Sequence, residues 1–260
     1  MKAVSVTTRR GARVRVLEAG QGRPLVFFHG AGGLFAENPF LDQLARQYHV
    51  YAPELPGYGE STGEEHLEDM LDFALHGWDV VSELGLERPH LMGHSMGGMI
   101  AAEMACVAAN DLAKLVLVCP AGLWIPEHPI ADLFALLPFE FAQLLFHDPA
   151  AGAAMLTGGL DFSDVKAVTD FYIGNAKNMG VAGKILFPIP NRGLARRLYR
   201  LRAETAVLWG ASDKLIPPVY ATAWKVLLPE ARVVQFEAAG HMLPYEKPDE
   251  LCAAVKKFLD

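Results

Sequence analysis

The clearest chemical signal in the sequence is a serine held between two glycines, in the run Gly93-His94-Ser95-Met96-Gly97. An apolar segment typical of a strand precedes this run, and an apolar segment typical of a helix follows it. A sharp strand-to-helix turn can expose a serine hydroxyl above a sheet, and its glycines let strand and helix approach closely. Ser95 is therefore a candidate nucleophile, although the run alone is equally compatible with a serine that only caps a helix.

A second glycine-rich turn, His29-Gly30-Ala31-Gly32-Gly33, ends an earlier strand candidate. Attack on a carbonyl group places negative charge on its oxygen, and each backbone N–H aimed at that oxygen contributes about 2.7–4 kcal/mol. We assign these oxyanion donors to Ala31 and to Met96, the residue after the serine. An ordinary strand-to-loop turn is the alternative. We expect His29 to fix its loop and His94 to pack at the serine turn, and neither to act as a base.

A serine hydroxyl is a weak nucleophile near neutral pH, so it needs a histidine to accept its proton and a carboxylate to orient that histidine. Of the nine histidines, His241 alone lies in a turn, Ala238-Ala239-Gly240-His241, directly after a late strand candidate. Asp213 follows the preceding strand candidate, with a solvated turn aspartate as its alternative. The other position for an acid reads Pro120-Ala121-Gly122 and offers no carboxylate. We therefore predict a triad of Ser95, Asp213 and His241.

These residues need a sheet that brings several strand ends together. Six short apolar runs predict strands: Leu25–Phe28, Val50–Ala52, His90–Met92, Leu115–Val118, Ala206–Trp209 and Val233–Phe236. Runs that are apolar throughout and alternate with helical stretches indicate a mostly parallel, doubly wound α/β sheet covered on both faces. Residues 3–8 and 12–19 predict an antiparallel hairpin ahead of it. The predicted helices are Asn38–Gln47, Glu64–Leu84, Ser95–Ala109, Val219–Leu228 and Asp249–Phe258.

Residues 121–202 break this alternation. They contain no convincing strand, several prolines and glycines, and an apolar run at Leu133–Phe146. We predict a helical cap inserted between two strands, above the C-terminal strand ends where open α/β sheets bind their ligands. Residues 1–120 and 203–260 then form the core domain. The apolar side chains of the cap are expected to divide between shielding a substrate and packing onto the core.

The composition of the chain limits the classes of partner that it is expected to bind. The chain has 260 residues, 52% hydrophobic and 20% charged, which fits one folded domain with an insertion. A net charge of −7 disfavours nucleic acid, and the arginines between 192 and 202 are expected to form a solvated helix face. The expected partner is a small-molecule substrate. The composition is compatible with either a monomer or a homodimer.

The compartment is suggested by the cysteines and by the start of the chain. Three cysteines cannot all pair within one chain, so Cys106, Cys119 and Cys252 are expected to be reduced core residues. The first residues lack the apolar core of a signal peptide, and no apolar run is long enough for a membrane span. We therefore expect no membrane association and a cytoplasmic location.

With these sites in order, the chain resembles the α/β-hydrolase superfamily over nearly its whole length. Residues 55–61, Leu-Pro-Gly-Tyr-Gly-Glu-Ser, are similar to the Asp-x-Pro-Gly-x-Gly-x-Ser loop of that family, and residues 241–248 are similar to its histidine loop. Glu54 replaces the usual aspartate, which we expect to change loop anchoring only. The resemblance implies an α/β-hydrolase fold with an inserted helical cap.

Within that superfamily, the residue at the sharp turn selects the chemistry. Haloalkane dehalogenases and epoxide hydrolases carry aspartate there, so Ser95 disfavours both activities. We expect a carboxylesterase that cleaves an ester of a small to medium apolar substrate through an acyl-enzyme. This chemistry requires no metal and no organic cofactor.

Other activities on the same scaffold stay open. The main alternative is a carbon–carbon bond hydrolase acting on meta-cleavage products, a group that tends to carry a proline in the oxyanion loop and a tryptophan after the histidine. This chain has Gly33 and Met242 in those places, although Arg192 or Arg196 could bind an acidic substrate. Lactonase activity, cofactor-free perhydrolase activity and a non-enzymatic ligand-binding receptor are further alternatives.

Overall fold

An eight-stranded sheet runs through the residues that the computed structural model describes, 1–35 and 37–260. Its strands are β1 Lys2–Thr7, β2 Arg13–Ala19, β3 Pro24–Phe28, β4 His49–Pro53, β5 His90–His94, β6 Lys114–Val118, β7 Glu204–Gly210 and β8 Arg232–Phe236. They lie in the order β1-β2-β4-β3-β5-β6-β7-β8. β2 pairs antiparallel with β1 and β4, and all pairings from β4 to β8 are parallel. The predicted mostly parallel sheet with a leading hairpin is confirmed.

Helices connect and cover the strands. In the described chain they are α1 Pro39–Leu44, α2 Met70–Glu83, α3 Met96–Val107, α4 Phe141–Leu145, α5 Pro149–Thr157, α6 Val165–Leu186, α7 Val219–Leu227, α8 Leu243–Glu246 and α9 Pro248–Leu259. Short 3₁₀ helices occur at Glu64–His66, Leu133–Ala135, Pro138–Glu140, Leu194–Arg196 and Leu198–Arg200. The single helix predicted for residues 64–84 is wrong. Its chain is interrupted because the Asp69 carboxylate accepts the N–H groups of Leu71 and Asp72 and so starts α2 afresh.

The centre of the sheet is almost completely buried. All residues of β5 are buried, and so are all but the first residues of β3 and β6. Helix α3 is buried along eleven of its twelve residues, which explains why its sequence is apolar nearly all round. The C-terminal ends of the central strands are therefore held in a packed frame, and their loops begin from fixed positions.

The segment between β6 and β7, residues 121–202, is called the helical segment below. Its regular elements are α4, α5, α6 and 3₁₀ turns, and none of its described residues lies in a strand. This agrees with the predicted helical insertion, while its treatment as a separate cap domain stays a prediction.

The end of the helical segment packs on α3. Leu194 and Leu198 are buried there. Arg197 donates through Nε to Oε2 of Glu103 at 2.8 Å, and Arg200 donates through Nε to the carbonyl of Cys106 at 2.7 Å. The arginine-rich stretch is therefore only in part the solvated face that was expected, because two of its members bind the core.

All three cysteines are buried and unpaired, as predicted. Burial raises the pKa of the Cys106 thiol to about 12, so this side chain stays protonated. No helix among the described residues combines the length and the apolarity that crossing a membrane requires.

Candidate active site

Ser95 occupies a strained turn between β5 and α3. Its φ of +55° lies in the left-handed region, which residues with a side chain adopt at a cost. The surrounding backbone holds it there: the Ser95 N–H donates to the carbonyl of Val118 at 2.9 Å, and the Ser95 carbonyl accepts the N–H groups of Met99 and Ala121, each at 3.1 Å. The strain is thus maintained by contacts with two neighbouring elements, β6 and α3.

Two glycines allow α3 to approach the sheet below Ser95. A Cβ atom on Gly93 would overlap the carbonyl of Gly97, and one on Gly97 would overlap the carbonyl of Phe28. Backbone atoms cannot move away without opening the sheet, so only glycine fits either position. The spacing of the glycines in the sequence therefore has a direct steric cause.

His241 and Asp213 form a buried pair above the ends of β8 and β7. Nδ1 of His241 lies 2.7 Å from Oδ2 of Asp213. Oδ1 of Asp213 accepts the N–H groups of Leu215 at 3.0 Å and Ile216 at 2.8 Å. The carboxylate is held by two backbone donors and cannot rotate freely, so it orients the imidazole ring with the proton on Nδ1.

The other ring nitrogen of His241 is free to act. Nε2 is buried and has no hydrogen-bond partner among the described residues. His241 and Ser95 line the same cavity, so the structure brings the three predicted triad residues to one place without joining Nε2 to the serine hydroxyl. In enzyme sites without substrate, such contacts are often long and shorten when the substrate binds.

Two further histidines hold the loops around Ser95. Nε2 of His94 donates to the carbonyl of His241 at 2.8 Å, which ties the serine turn to the histidine loop. Nε2 of His29 accepts the N–H of Leu55 at 3.1 Å, and its Nδ1 donates to the carbonyl of Gly30 at 2.8 Å. Burial lowers the pKa of His29 to about 4 and that of His94 to about 3. Both rings are neutral at pH 7 and occupied as loop anchors, in line with their expected roles.

The turn at residues 29–33 presents backbone groups to the cavity. The Gly33 N–H donates to the carbonyl of Gly30 at 3.0 Å and closes the turn. Ala31 lines the cavity, and Met96 is the first residue of α3, where helix N–H groups lack intrahelical partners. No hydrogen bond from either N–H to another described residue is found, and their role as oxyanion donors stays a prediction.

Sequence reasoning missed two residues that fix this turn. The Tyr58 hydroxyl lies 3.1 Å from the carbonyl of Ala31 and 2.9 Å from that of Asn178 on α6. Nδ2 of Asn178 donates to the carbonyl of Gly32 at 3.1 Å. Tyr58 belongs to the recognised 55–61 loop, which could have suggested a role, whereas nothing in the local sequence distinguishes Asn178.

Glu54, which stands where the family usually has aspartate, anchors the 55–61 loop. Its Oε1 lies 2.7 Å from Nη1 of Arg15, and its Oε2 accepts the N–H of Glu60 at 3.3 Å. The Arg15 N–H also donates to the hydroxyl of Ser61 at 2.9 Å. The loop is thus tied to β2 by one charged and one neutral contact.

A cavity of about 310 Å³ lies over Ser95, between the strand ends and the helical segment. The helical segment contributes mostly apolar walls: Leu133, Phe141, Leu145, Leu156, Phe171 and Met179. The exposed Asp170 lies at its edge, and no lysine or arginine is among its described lining residues. The volume is at the lower end of the range for small-molecule sites.

Neither arginine that was considered for an acidic substrate reaches this cavity. The guanidinium of Arg192 donates to the carbonyl of Phe187, and Arg196 is exposed. Both residues are absent from the described lining. The structure therefore does not support the alternative in which one of them binds a substrate carboxylate here.

One cluster has the residue types of a metal site. Possible ligand atoms of Cys119, Asp213 and His241 lie within 4.8 Å of one another, and all three residues are buried. Burial and the neighbouring Asp213 carboxylate raise the pKa of the Cys119 thiol well above its usual range, so it stays protonated. A metal would have to deprotonate this thiol and break the Asp213–His241 contact. The hydrogen bonds present fit a triad better than a metal centre.

Comparison with known proteins identifies the family. A family model described as "Alpha/beta hydrolase family" matches residues 25–254. The chain therefore belongs to the alpha/beta hydrolase family, and the predicted α/β-hydrolase fold is confirmed.

Individual relatives carry different activities in their names. The chain is 31% identical to the dihydrolipoyllysine-residue acetyltransferase component of the acetoin cleaving system of Cupriavidus necator, over 96% of this chain and 67% of that protein. It is 30% identical to Lipase 1 of Psychrobacter immobilis, over 98% of this chain and 83% of the lipase. Its fold matches 2-hydroxy-6-oxo-6-phenylhexa-2,4-dienoate hydrolase from Rhodococcus sp. strain RHA1 with a TM-score of 0.81 at 20% identity, over 99% of both chains. Membership of the family thus leaves open which bond is cleaved.

Proposed function

We propose that the protein is a serine carboxylesterase that acts on small to medium apolar esters. Ser95 is the nucleophile, His241 the general base and Asp213 the residue that orients the histidine. One observation carries the proposal. The buried His241 is held by the Asp213 carboxylate 2.7 Å away, has no partner at Nε2 among the described residues, and lines the same cavity as the strained Ser95. Residues held in this way are typical of nucleophilic acyl transfer.

The proposed reaction has two steps. Ser95 attacks the ester carbonyl while Nε2 of His241 takes the hydroxyl proton, and the N–H groups of Ala31 and Met96 stabilise the negative oxygen. Collapse of the tetrahedral intermediate breaks the bond to the alcohol, which leaves with the proton from His241. Water then attacks the acyl-enzyme with the same histidine as base, releasing the acid and restoring Ser95.

The walls of the cavity favour a neutral ester over an acidic substrate. The described lining is mostly apolar, its polar side chains include no lysine or arginine, and its edge carries the Asp170 carboxylate. A dienoate of the kind named for the Rhodococcus hydrolase carries a negative charge, which such a lining would leave unpaired at a considerable cost. The similarity to a lipase supports the ester reading as well.

The test compares the parent with Ser95→Ala on p-nitrophenyl acetate, butyrate and octanoate, and on a ring-cleavage dienoate. We expect ester turnover by the parent and a fall in kcat on the order of 10⁶-fold in Ser95→Ala, as for other triad serines. Ser163→Ala, which changes an exposed serine in the helical segment, is the matched control and should keep parental turnover. Circular dichroism and thermal melting establish that each variant is folded.

Two results would overturn the proposal. A folded Ser95→Ala that hydrolyses esters at the parental rate would remove Ser95 from the mechanism. Cleavage of the dienoate without ester turnover, abolished in Ser95→Ala, would instead establish a carbon–carbon bond hydrolase.

A further inference from the structure

Two cavities of unequal size meet at Ser95. The larger, of about 310 Å³, is described above. The smaller, of about 40 Å³, is lined by Ser95, by Asp132 and otherwise by apolar residues that include Trp124, Ile130, Phe134, Leu186 and Ile216. Leu133 and Leu215 line both cavities. An ester whose carbonyl carbon sits at Ser95 can therefore place one substituent in each cavity.

The position of His241 distinguishes the two cavities. The leaving alcohol takes its proton from Nε2 of His241 in the proposed mechanism, so its oxygen must lie within hydrogen-bond reach of that atom. His241 lines the larger cavity, together with its neighbours Met242 and Tyr245. It is not among the described residues lining the smaller one. The alcohol portion of the ester thus belongs in the larger cavity and the acyl portion in the smaller.

The volume of the smaller cavity limits the acyl chain. One water-sized group needs about 10–15 Å³ measured in this way, so a cavity of about 40 Å³ holds roughly three such groups. Since the carbonyl carbon remains at Ser95, this corresponds to acyl groups of about two to four carbons. A longer chain must displace packed side chains, because protein interiors contain little spare space.

We propose that the protein is selective for esters of short acyl groups, acetyl to butyryl, with larger apolar alcohols. This inference rests on the proposed esterase function and adds the direction in which the substrate is bound. The apolar walls from α4, α5 and α6 surround the alcohol, and the smaller cavity beside Trp124 limits the length of the acyl chain.

An isomeric pair of esters tests the direction. Hexyl acetate and ethyl hexanoate have the same formula and differ only in which side of the ester group is long. We expect kcat/KM for hexyl acetate to exceed that for ethyl hexanoate by about tenfold or more, because each methylene that does not fit is discriminated by about tenfold or more. Rates are measured by proton release in a pH-stat, with Ser95→Ala as the blank.

The outcomes separate the inference from the proposed function. If the protein hydrolyses neither isomer and no p-nitrophenyl ester, the esterase function itself is refuted. Serine-dependent hydrolysis of both isomers at equal rates, or faster hydrolysis of ethyl hexanoate, would leave the esterase function standing and overturn the assignment of the cavities.

Variants on each side sharpen the test. Trp124 lines only the smaller cavity, so Trp124→Ala should raise kcat/KM for ethyl hexanoate relative to ethyl acetate by about tenfold. Leu156 lines only the larger cavity, so Leu156→Ala should leave that acyl ratio at the parental value. Equal acyl ratios in the parent and a folded Trp124→Ala would contradict the proposal.

A second variant covers the case in which Trp124→Ala does not fold. Ala131 lines only the smaller cavity and is half-buried, so Ala131→Leu fills space without opening a void. We expect Ala131→Leu to lower kcat/KM for ethyl butyrate more than for ethyl acetate. If the ratio of kcat/KM for ethyl butyrate to that for ethyl acetate is the same in Ala131→Leu and the parent, the assignment of the acyl group to the smaller cavity is wrong.

Discussion

The two walls of the cavity over Ser95 are built differently. On the core side, the polar groups of Asp213, His241, His94 and His29 are buried and tied to backbone groups or to each other. On the side of the helical segment, the walls are mainly aliphatic and aromatic. That segment also exposes large apolar side chains, among them Phe162 at 67% and Val165 at 77%. The core therefore fixes the proposed triad, while the helical segment supplies most of the apolar wall opposite it.

Hydrogen bonds join these two parts at several places. Asn178 holds the turn at residues 29–33 from α6, and Arg197 binds Glu103 on α3. The remaining contacts include apolar packing, which tolerates exchange of side chains of similar volume.

The largest difference between the two walls is expected for their carboxylates. Asp213→Asn replaces the acceptor for Nδ1 of His241 with an amide, which favours the wrong tautomer, and kcat should fall on the order of 10⁴-fold. Asp170→Asn, at the exposed edge of the cavity, should change kcat by less than about tenfold. Steady-state kinetics on p-nitrophenyl butyrate measures both, with circular dichroism as the control for folding. Near-parental turnover by a folded Asp213→Asn would reject Asp213 as the triad acid.

A smaller difference is expected in stability between two ion pairs. Arg197→Gln leaves Glu103, whose side chain is 3% exposed, without its charged partner. Breaking a fully buried pair costs about 3–5 kcal/mol, but the Arg197 side chain is 36% exposed, so we expect the free energy of unfolding to fall by about 2 kcal/mol. Lys166→Gln removes a pair on the surface of α6 and should leave the urea midpoint unchanged. A urea midpoint of Arg197→Gln equal to that of the parent would show that the Arg197–Glu103 pair contributes nothing to stability.

A further expected difference concerns the response of buried histidines to acid. Burial lowers the pKa values of His29, His76 and His90 to about 4 and that of His94 to about 3. The unfolded chain binds protons at these residues below about pH 6.5, and the folded chain does not until the lower pKa is reached. The stability that depends on these histidines being neutral is therefore fully present above about pH 6.5 and is lost as the pH falls toward 4 and below.

His90 isolates this effect, because neither of its ring nitrogens has a partner among the described residues. His90→Phe should remove its share of the pH dependence, at most about 1.4 kcal/mol per pH unit between pH 6.5 and 4. His128→Phe, at an exposed position of the helical segment, should retain the parental slope. Urea unfolding at several pH values measures both, and an unchanged slope in His90→Phe would contradict the prediction.

Most of the fold could be predicted because its signals are local. Apolar runs identified all the parallel strands, and the central ones are apolar because strands covered on both faces need apolar side chains throughout. The break before α2 was missed although Asp69 is a good helix cap, because the periodicity continues across it. The arginines between 192 and 202 were expected to be solvated, and the surface of α3 that binds two of them is formed only after folding.

The sequence by itself determined the serine in its glycine turn, the order of serine, acid and histidine, and the strand ends from which the loops start. The tertiary structure decided which groups meet: His94 with the carbonyl of His241, 147 positions away, Tyr58 with Asn178, 120 positions away, and two unequal cavities at Ser95. The physical reason is that residue patterns report the period and the ends of each element. A hydrogen bond or a cavity between distant segments depends on how those elements pack.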